Sequence, residues 1–473
     1  ITAQLFGDIF NSTTPYFITI EDYFIFGSSV ASLEYLIDNY KSNNTLSRSK
    51  HFNDYSSYLS SKSNLFFYIN PGKSAISLKD KLQTSYGKNI DFNLDSVEKF
   101  TAFTVQMSRK KDLLLNNINM FYDSDFKEAI NEEWFLQLDT SVSMNPQFVF
   151  NHFTKEKMIV VQNNNNKVFA INSKGEELWN IQLNSKILGD ISSIDFYQNN
   201  KYQYLFNTES KLYLIDRNGE NVNEFPVNLI CNTSFGHSLF DYNNNRKYRI
   251  LIVGEDNNIY NLNKKGKEIK GWKYEKNNNK INKKLQYFKV GTKDYILAER
   301  NGSNTQLLAI NGSERVKFEK DILFNGNTIS IDKEGTIYTI TNEGKLWRGY
   351  LDGNSSQLTL SNLVNNSLFV VNESGKEKQF IYTNNNRIFI LNSNFETINS
   401  IDLTNNITNL LTNNKDIIFT TKDELYLWNT DGFLEGFPIK SDGYFNIEDI
   451  DNNGKINLIN TKNGFIYNYE LAD

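Results

Sequence analysis

The stretch VFAINSKGEELW at residues 168–179 decides the fold. Val168 to Ile171 form an apolar run of strand-forming residues. Asn172 and Gly175 then turn the chain, because both accept backbone angles that other residues avoid, and a second strand leads to Trp179. The phrase returns as LYLIDRNGENV (212–222), IYNLNKKGKEI (259–269), LLAINGSERV (307–316) and LWRGYLDGNSSQL (346–358). It continues as IFILNSNFETI (388–398), LYLWNTDGFLEG (425–436) and FIYNYEL (465–471). Strand-only repeats with a period of about 40 residues point to a β-propeller. Each copy is too small to bury its own apolar face, so the copies must stack on one another.

Composition agrees with a mainly β chain. Aromatics make up 14% of its 473 residues, a level that suits pleated surfaces better than helices. Mean hydropathy is −0.51, and no apolar run is long enough for a membrane span. The formal net charge of −5 and a pI near 5.6, with lysines scattered through Asn-rich turns, argue against a nucleic-acid partner. The single cysteine, Cys231, excludes an intrachain disulfide and reads as a small buried hydrophobe. The chain opens Ile-Thr-Ala-Gln, as expected of a processed piece whose targeting segment or lipid anchor lies upstream.

Residues 1–131 read differently, as an N-terminal α+β domain. YFITIEDYFIF (16–26) suggests two strands around Glu21-Asp22. Helices are expected over 30–40, 52–60 and 79–86, a buried strand over 64–71, and an antiparallel pair over 101–108 and 113–122. From 132 to 473 the helical period is gone. A propeller must close its ring, since an open edge strand invites aggregation, and WFLQL at 134–138 is expected to supply the outer strand of the last blade. Four strands per blade gives about eight blades, with seven as the alternative.

The N/D-x-x-G-x-x-x-W phrase at Asn172 to Trp179 resembles the repeat of the quinoprotein-like propellers. That superfamily includes pyrroloquinoline-quinone alcohol dehydrogenases and non-catalytic members, such as the propeller lipoprotein of the bacterial outer-membrane assembly machinery. The segment from Tyr16 to Leu33, followed by SKSNLFFYINP at 61–71, is similar to a bacterial envelope family in which such a segment precedes a propeller. The resemblance implies a periplasmic or outer-membrane-associated scaffold or accessory subunit, with other envelope proteins as partners.

One segment has metal-ligand spacing. Asp449, Asp451, Asn453, the backbone carbonyl of Lys455, and Asn457 match the front of a calcium loop around Gly454. Asn460 stands where that loop places a bidentate Glu. A weaker copy at Asp241, Asn243 and Asn245 has Arg246 in place of the glycine and is expected to bind nothing. Quinone catalysis is not expected. Its acidic and metal-ligating set is missing, a vicinal disulfide cannot form, and Trp179, Trp272, Trp347 and Trp428 fall at repeat positions that suit blade packing. His51, His152 and His237 do not cluster with other ligands. The reading is therefore a non-enzymatic protein without pyrroloquinoline quinone and with one structural Ca2+. The alternative is a carbohydrate-binding or carbohydrate-cleaving propeller using a pair such as Glu21-Asp22 or Asp190-Asp195.

Overall fold

The computed structural model describes residues 16–27, 45–48, 50–71, 99–124 and 130–471, apart from short gaps. The gaps are 49, 277–278, 301–304, 319–328, 375–376, 414–415, 431 and 435 within 45–471, together with most of 28–44 and 72–98. The chain divides into two compact units, 1–130 with 435–440 and 472–473, and 131–434 with 441–471.

In the first unit, β1 (Tyr16–Ile20) and β2 (Tyr23–Gly27) form a hairpin. The helix α1 spans Lys50–Ser56. It stops short of the expected residue 60, because Tyr58 and Leu59 donate to Tyr55 and Ser56, three residues back, and tighten the chain into a turn. A three-stranded sheet follows, with β4 (Phe100–Lys110) between β3 (Leu65–Ile69) and β5 (Leu113–Tyr122). One face carries Tyr55, stacked on Phe121 at 4.3 Å, and Gln106, whose amide bonds the N–H and C=O of Ser60. The helix expected over 79–86, and most of the one over 30–40, lie outside the described residues.

The second unit is a succession of antiparallel sheets. Eight are found among the described residues, over 147–182, 188–228, 238–263, 286–316, 330–358, 369–402, 409–433 and 445–471. The first strands of neighbouring sheets lie side by side, as 147–150 does with 188–194. The last sheet takes its fourth strand from far upstream, where β6 (Ile130–Gln137) pairs beside Phe465–Leu471. Leu138 then donates to the carbonyl of Gly464, and Asn446 to that of Pro146.

The apolar runs are explained by burial on both faces. In Lys157–Gln162, Met158 and Val160 pack toward Tyr204 and Phe206 of the second sheet. Ile159 and Val161 point the other way, toward Ile450, Ile459 and Ile466 of the eighth. Both sides of each middle strand are therefore core, so it reads as continuous Val, Ile and Leu.

The repeated turn has a matching logic. Asn172 Oδ1 accepts the N–H groups of Lys174 and Glu176, and Asp216 holds Asn218 and Glu220 in the same way. The glycine that follows has positive φ and lies under an aromatic ring of the preceding sheet. A Cβ on Gly175 would stand 2.6 Å from Trp134, and one on Gly219 would stand 2.8 Å from Trp179. The Nε1 atoms of Trp134 and Trp179 donate to the carbonyls of Ser173 and Arg217 in the same turns. Trp272 covers Gly312 in the fourth sheet. These tryptophans join sheet to sheet.

Candidate functional site

The loops that follow the first strands share one construction. Asp195 lies at the head of the loop 195–202, and its carboxylate accepts the N–H groups of Asn199 and Asn200 at 2.9 and 2.8 Å. Asp241 does the same for Asn245 and Arg246 at 3.0 and 2.7 Å. Asp449 takes only the N–H of Gly454, at 3.1 Å, while its Oδ1 is buried with no hydrogen-bond partner. A short side chain with two oxygens thus folds a loop over itself.

Two acidic sites, one at Asp195 and one at Asp332, are filled by cations of the chain. Arg246, the residue that breaks the calcium pattern in the weaker copy, extends to the preceding sheet. Its guanidinium contacts fully buried Asp195 at 2.6 Å and Asn200 at 2.5 Å. Lys378 bonds Asp332, Glu334 and Glu373 at 2.8, 2.7 and 3.2 Å, and those three carboxylates are the one group of metal-ligating geometry among the described residues. Burial works to raise the pKa of Asp332, but Lys378, the Thr336 N–H and the Tyr338 hydroxyl outweigh it and hold the carboxyl below its usual range. Burial likewise opposes the charge on Lys378, and the carboxylates overcome it and raise its pKa. The Lys378 ammonium thus lies among all three carboxylates.

The expected calcium residues come together in part. Asn453 Oδ1 already accepts the Lys455 N–H, and Asn457 Oδ1 accepts the Ile450 N–H. The Lys455 side chain pairs with Glu470 at 2.5 Å, and Asn453 donates to the same carboxylate. Asn460 is buried within the strand Asn457–Lys462, and the acid beside the loop is Glu470, a strand away at the register position of Asn457.

The histidines separate, as their spacing implies. His51 lies on α1, and His152 accepts the Tyr202 N–H at 3.1 Å. His237 is buried between the second and third sheets, with Nε2 2.9 Å from Ser192 Oγ and Nδ1 3.3 Å from Asn207 Oδ1. Burial lowers its pKa to about 4, so it sits there as a neutral ring. Asp190 and Asp195 do not act as a pair, since Asp190 is held by Lys284 and Asp195 by Arg246. Cys231 is half-buried, outside the core where the sequence placed it.

The feature left open on the loop face is aromatic. Phe153, in the loop 151–156, is 72% exposed, and Tyr197 in the next loop is 52% exposed. Arg217 stacks its guanidinium over Phe153 at 4.6 Å. Burial lowers the pKa of His152, and the charges of Arg217, Lys201 and Lys155 lower it further against the opposing charge of Asp195. Sequence reading missed the patch, because it is assembled from loops of two sheets.

No protein-family model and no curated protein sequence matches the chain. Among solved structures it is similar to BamB from Moraxella catarrhalis, with 13% identity and a TM-score of 0.50 over 72% of this chain and 100% of that one. It is also similar to Sqt1 of Saccharomyces cerevisiae, with 10% identity and a TM-score of 0.48 over 72% and 100% of the two chains. A third is the WD40 domain of Pan2 from Neurospora crassa, with 9% identity and a TM-score of 0.42 over 74% and 97%. At such identity the likeness is one of fold, and the fold is a β-propeller.

Proposed function

We propose that the protein is a non-enzymatic scaffold of a bacterial envelope complex, built on an eight-bladed propeller that docks a partner protein on its loop face. The observation that carries this is Phe153 under Arg217, with Tyr197 in the adjoining loop. Exposed aromatic and arginine side chains anchor protein interfaces, because they offer contact area at little entropic cost. The fold shared with BamB and the similarity of the N-terminal segment to an envelope family support the cellular setting. The basic groups around His152 favour a partner segment with acidic residues. A carbohydrate-cleaving reading would need a free carboxylate pair on this face, and Asp195, at the base of the Tyr197 loop, is sealed by Arg246.

A structural Ca2+ at the Asp449 loop belongs to the same proposal. Its support is the buried, unpartnered Asp449 Oδ1, with exposed Asp451 two residues on. The scaffold reading is tested by mild-detergent purification of the endogenous protein and of its Phe153→Ala/Arg217→Ala variant. A stoichiometric envelope subunit should accompany the parent and be lost from the variant. Equal recovery with both, or turnover by the isolated chain, would sink the reading.

A further inference from the structure

In the first unit, the β4–β5 hairpin continues past the sheet that supports it. β3 pairs only with 103–107 of β4, and the last tether is the Arg109 N–H bonded to Asn64 Oδ1 at 2.8 Å. Beyond it, the strands meet at the turn Lys111-Asp112. Leu113, Leu114 and Leu115 open β5 and are 65%, 63% and 52% exposed. Successive residues of a strand face opposite ways, so Leu113 and Leu115 project on one side and Leu114 on the other. On the Leu114 side, exposed Ile118 and Met120 continue the apolar row. Across the strand pair, Lys110 lies opposite Leu113 and Arg109 opposite Leu114.

We infer that this hairpin docks on the surface of an anionic phospholipid bilayer. Two features select that occupant. A protein groove takes one face of a strand and leaves the other in water, whereas an apolar phase takes leucines on both faces at once. Arg109, Lys110 and Lys111 are set against one carboxylate, Asp112, so the hairpin tip is positive although the whole chain carries a net charge of −5, and its basic side chains flank the leucines. Each basic side chain near such a surface raises partitioning by about fivefold. Depth is limited to the headgroup boundary, because among the described residues β5 is an edge strand, and its outer backbone groups must keep their water. The lysine stems can run along the leucines while their ammonium groups stay among phosphates. This inference does not rest on the scaffold reading and involves none of the propeller loops.

The test is flotation of the full chain with phosphatidylcholine vesicles that contain or lack phosphatidylglycerol. Binding should require the anionic lipid and fall about tenfold or more as salt is raised past the screening of the tip charges. Lys110→Glu/Lys111→Glu should abolish the lipid selectivity, and Leu113→Ser/Leu114→Ser should weaken partitioning about tenfold or more. Both variants change exposed side chains, and an unchanged melting temperature shows that each is folded. Equal binding to neutral vesicles, binding indifferent to either variant, or no flotation with self-association through the leucines would each overturn the inference.

Discussion

Blades of this propeller meet in two ways. At the turns around Gly175, Gly219 and Gly312, an indole from one blade lies on a glycine of the next. At the loops around Asp195 and Asp332, an arginine or a lysine seats itself among carboxylates and amides. The apolar joint needs a missing side chain, and a Cβ would ruin it. The ionic joint needs a charge, since the buried carboxylates of Asp195 and Asp332 are uncompensated without one. One joint is therefore sensitive to shape and indifferent to pH, and the other is the reverse.

The largest effect is expected where the charge is removed. Lys378→Met leaves Asp332, Glu334 and Glu373 facing one another, and should lower the unfolding free energy in urea by about 3–5 kcal/mol. Millimolar Ca2+ should restore part of that loss in the variant, beyond the small gain that the Asp449 loop gives both proteins. An unchanged midpoint would show that the lysine is not what holds the site together. Next comes the apolar joint, where Gly219→Val places a β-branched residue at a φ of +83° against Trp179. The expected cost is about 2–4 kcal/mol, which Trp179→Ala in the same chain should relieve only in its steric part.

Acid acts on a contact outside both joints, at His237 between the second and third sheets. His237 has a folded-state pKa near 4 against an ordinary 6.5, so the unfolded chain binds the proton first as pH falls. Stability should decline between about pH 6.5 and 4, by at most about 3 kcal/mol from this residue, and His237→Gln should flatten that slope. The turn variants should leave it intact. The smallest effect concerns Asp449. Ca2+ should raise the melting temperature of the parent by about 1–2 degrees, about 1 kcal/mol, and Asp449→Asn should abolish the shift. A parent indifferent to both Ca2+ and chelator would end the calcium proposal.

The apolar joints were legible in the sequence because their parts recur at the same place in successive phrases, although each indole meets the glycine one repeat further on. Asn172, Gly175 and Trp179 fall within one phrase, and their copies recur. The ionic joints were not, because Arg246 reaches back 51 residues to Asp195 and Lys378 46 residues to Asp332, with no spacing to announce either. Arg246 was visible only as a defect in a calcium pattern, and its purpose lay in the neighbouring blade. The copy at 388–398 shows the converse. It lacks the turn glycine, yet the turn persists with Phe395 at a φ of 65°. Its ring stacks on Phe380 at 4.3 Å and lies under Arg348, contacts that offset the strained backbone. Tertiary packing overrides the local rule there, and a single sequence gives no sign of it.

The pairing of β6 with Phe465–Leu471 has a consequence for how the protein is made. β6 emerges from the ribosome about 330 residues before its partner strand, which at ordinary rates of synthesis is a wait of about 15–60 s. During that interval the open edge of β6 lacks its partner strand, while seven sheets take shape downstream. The nascent chain is then most exposed to proteases and to other copies of itself, and a holdase acting on β6 would shorten that risk more than one acting on any later blade.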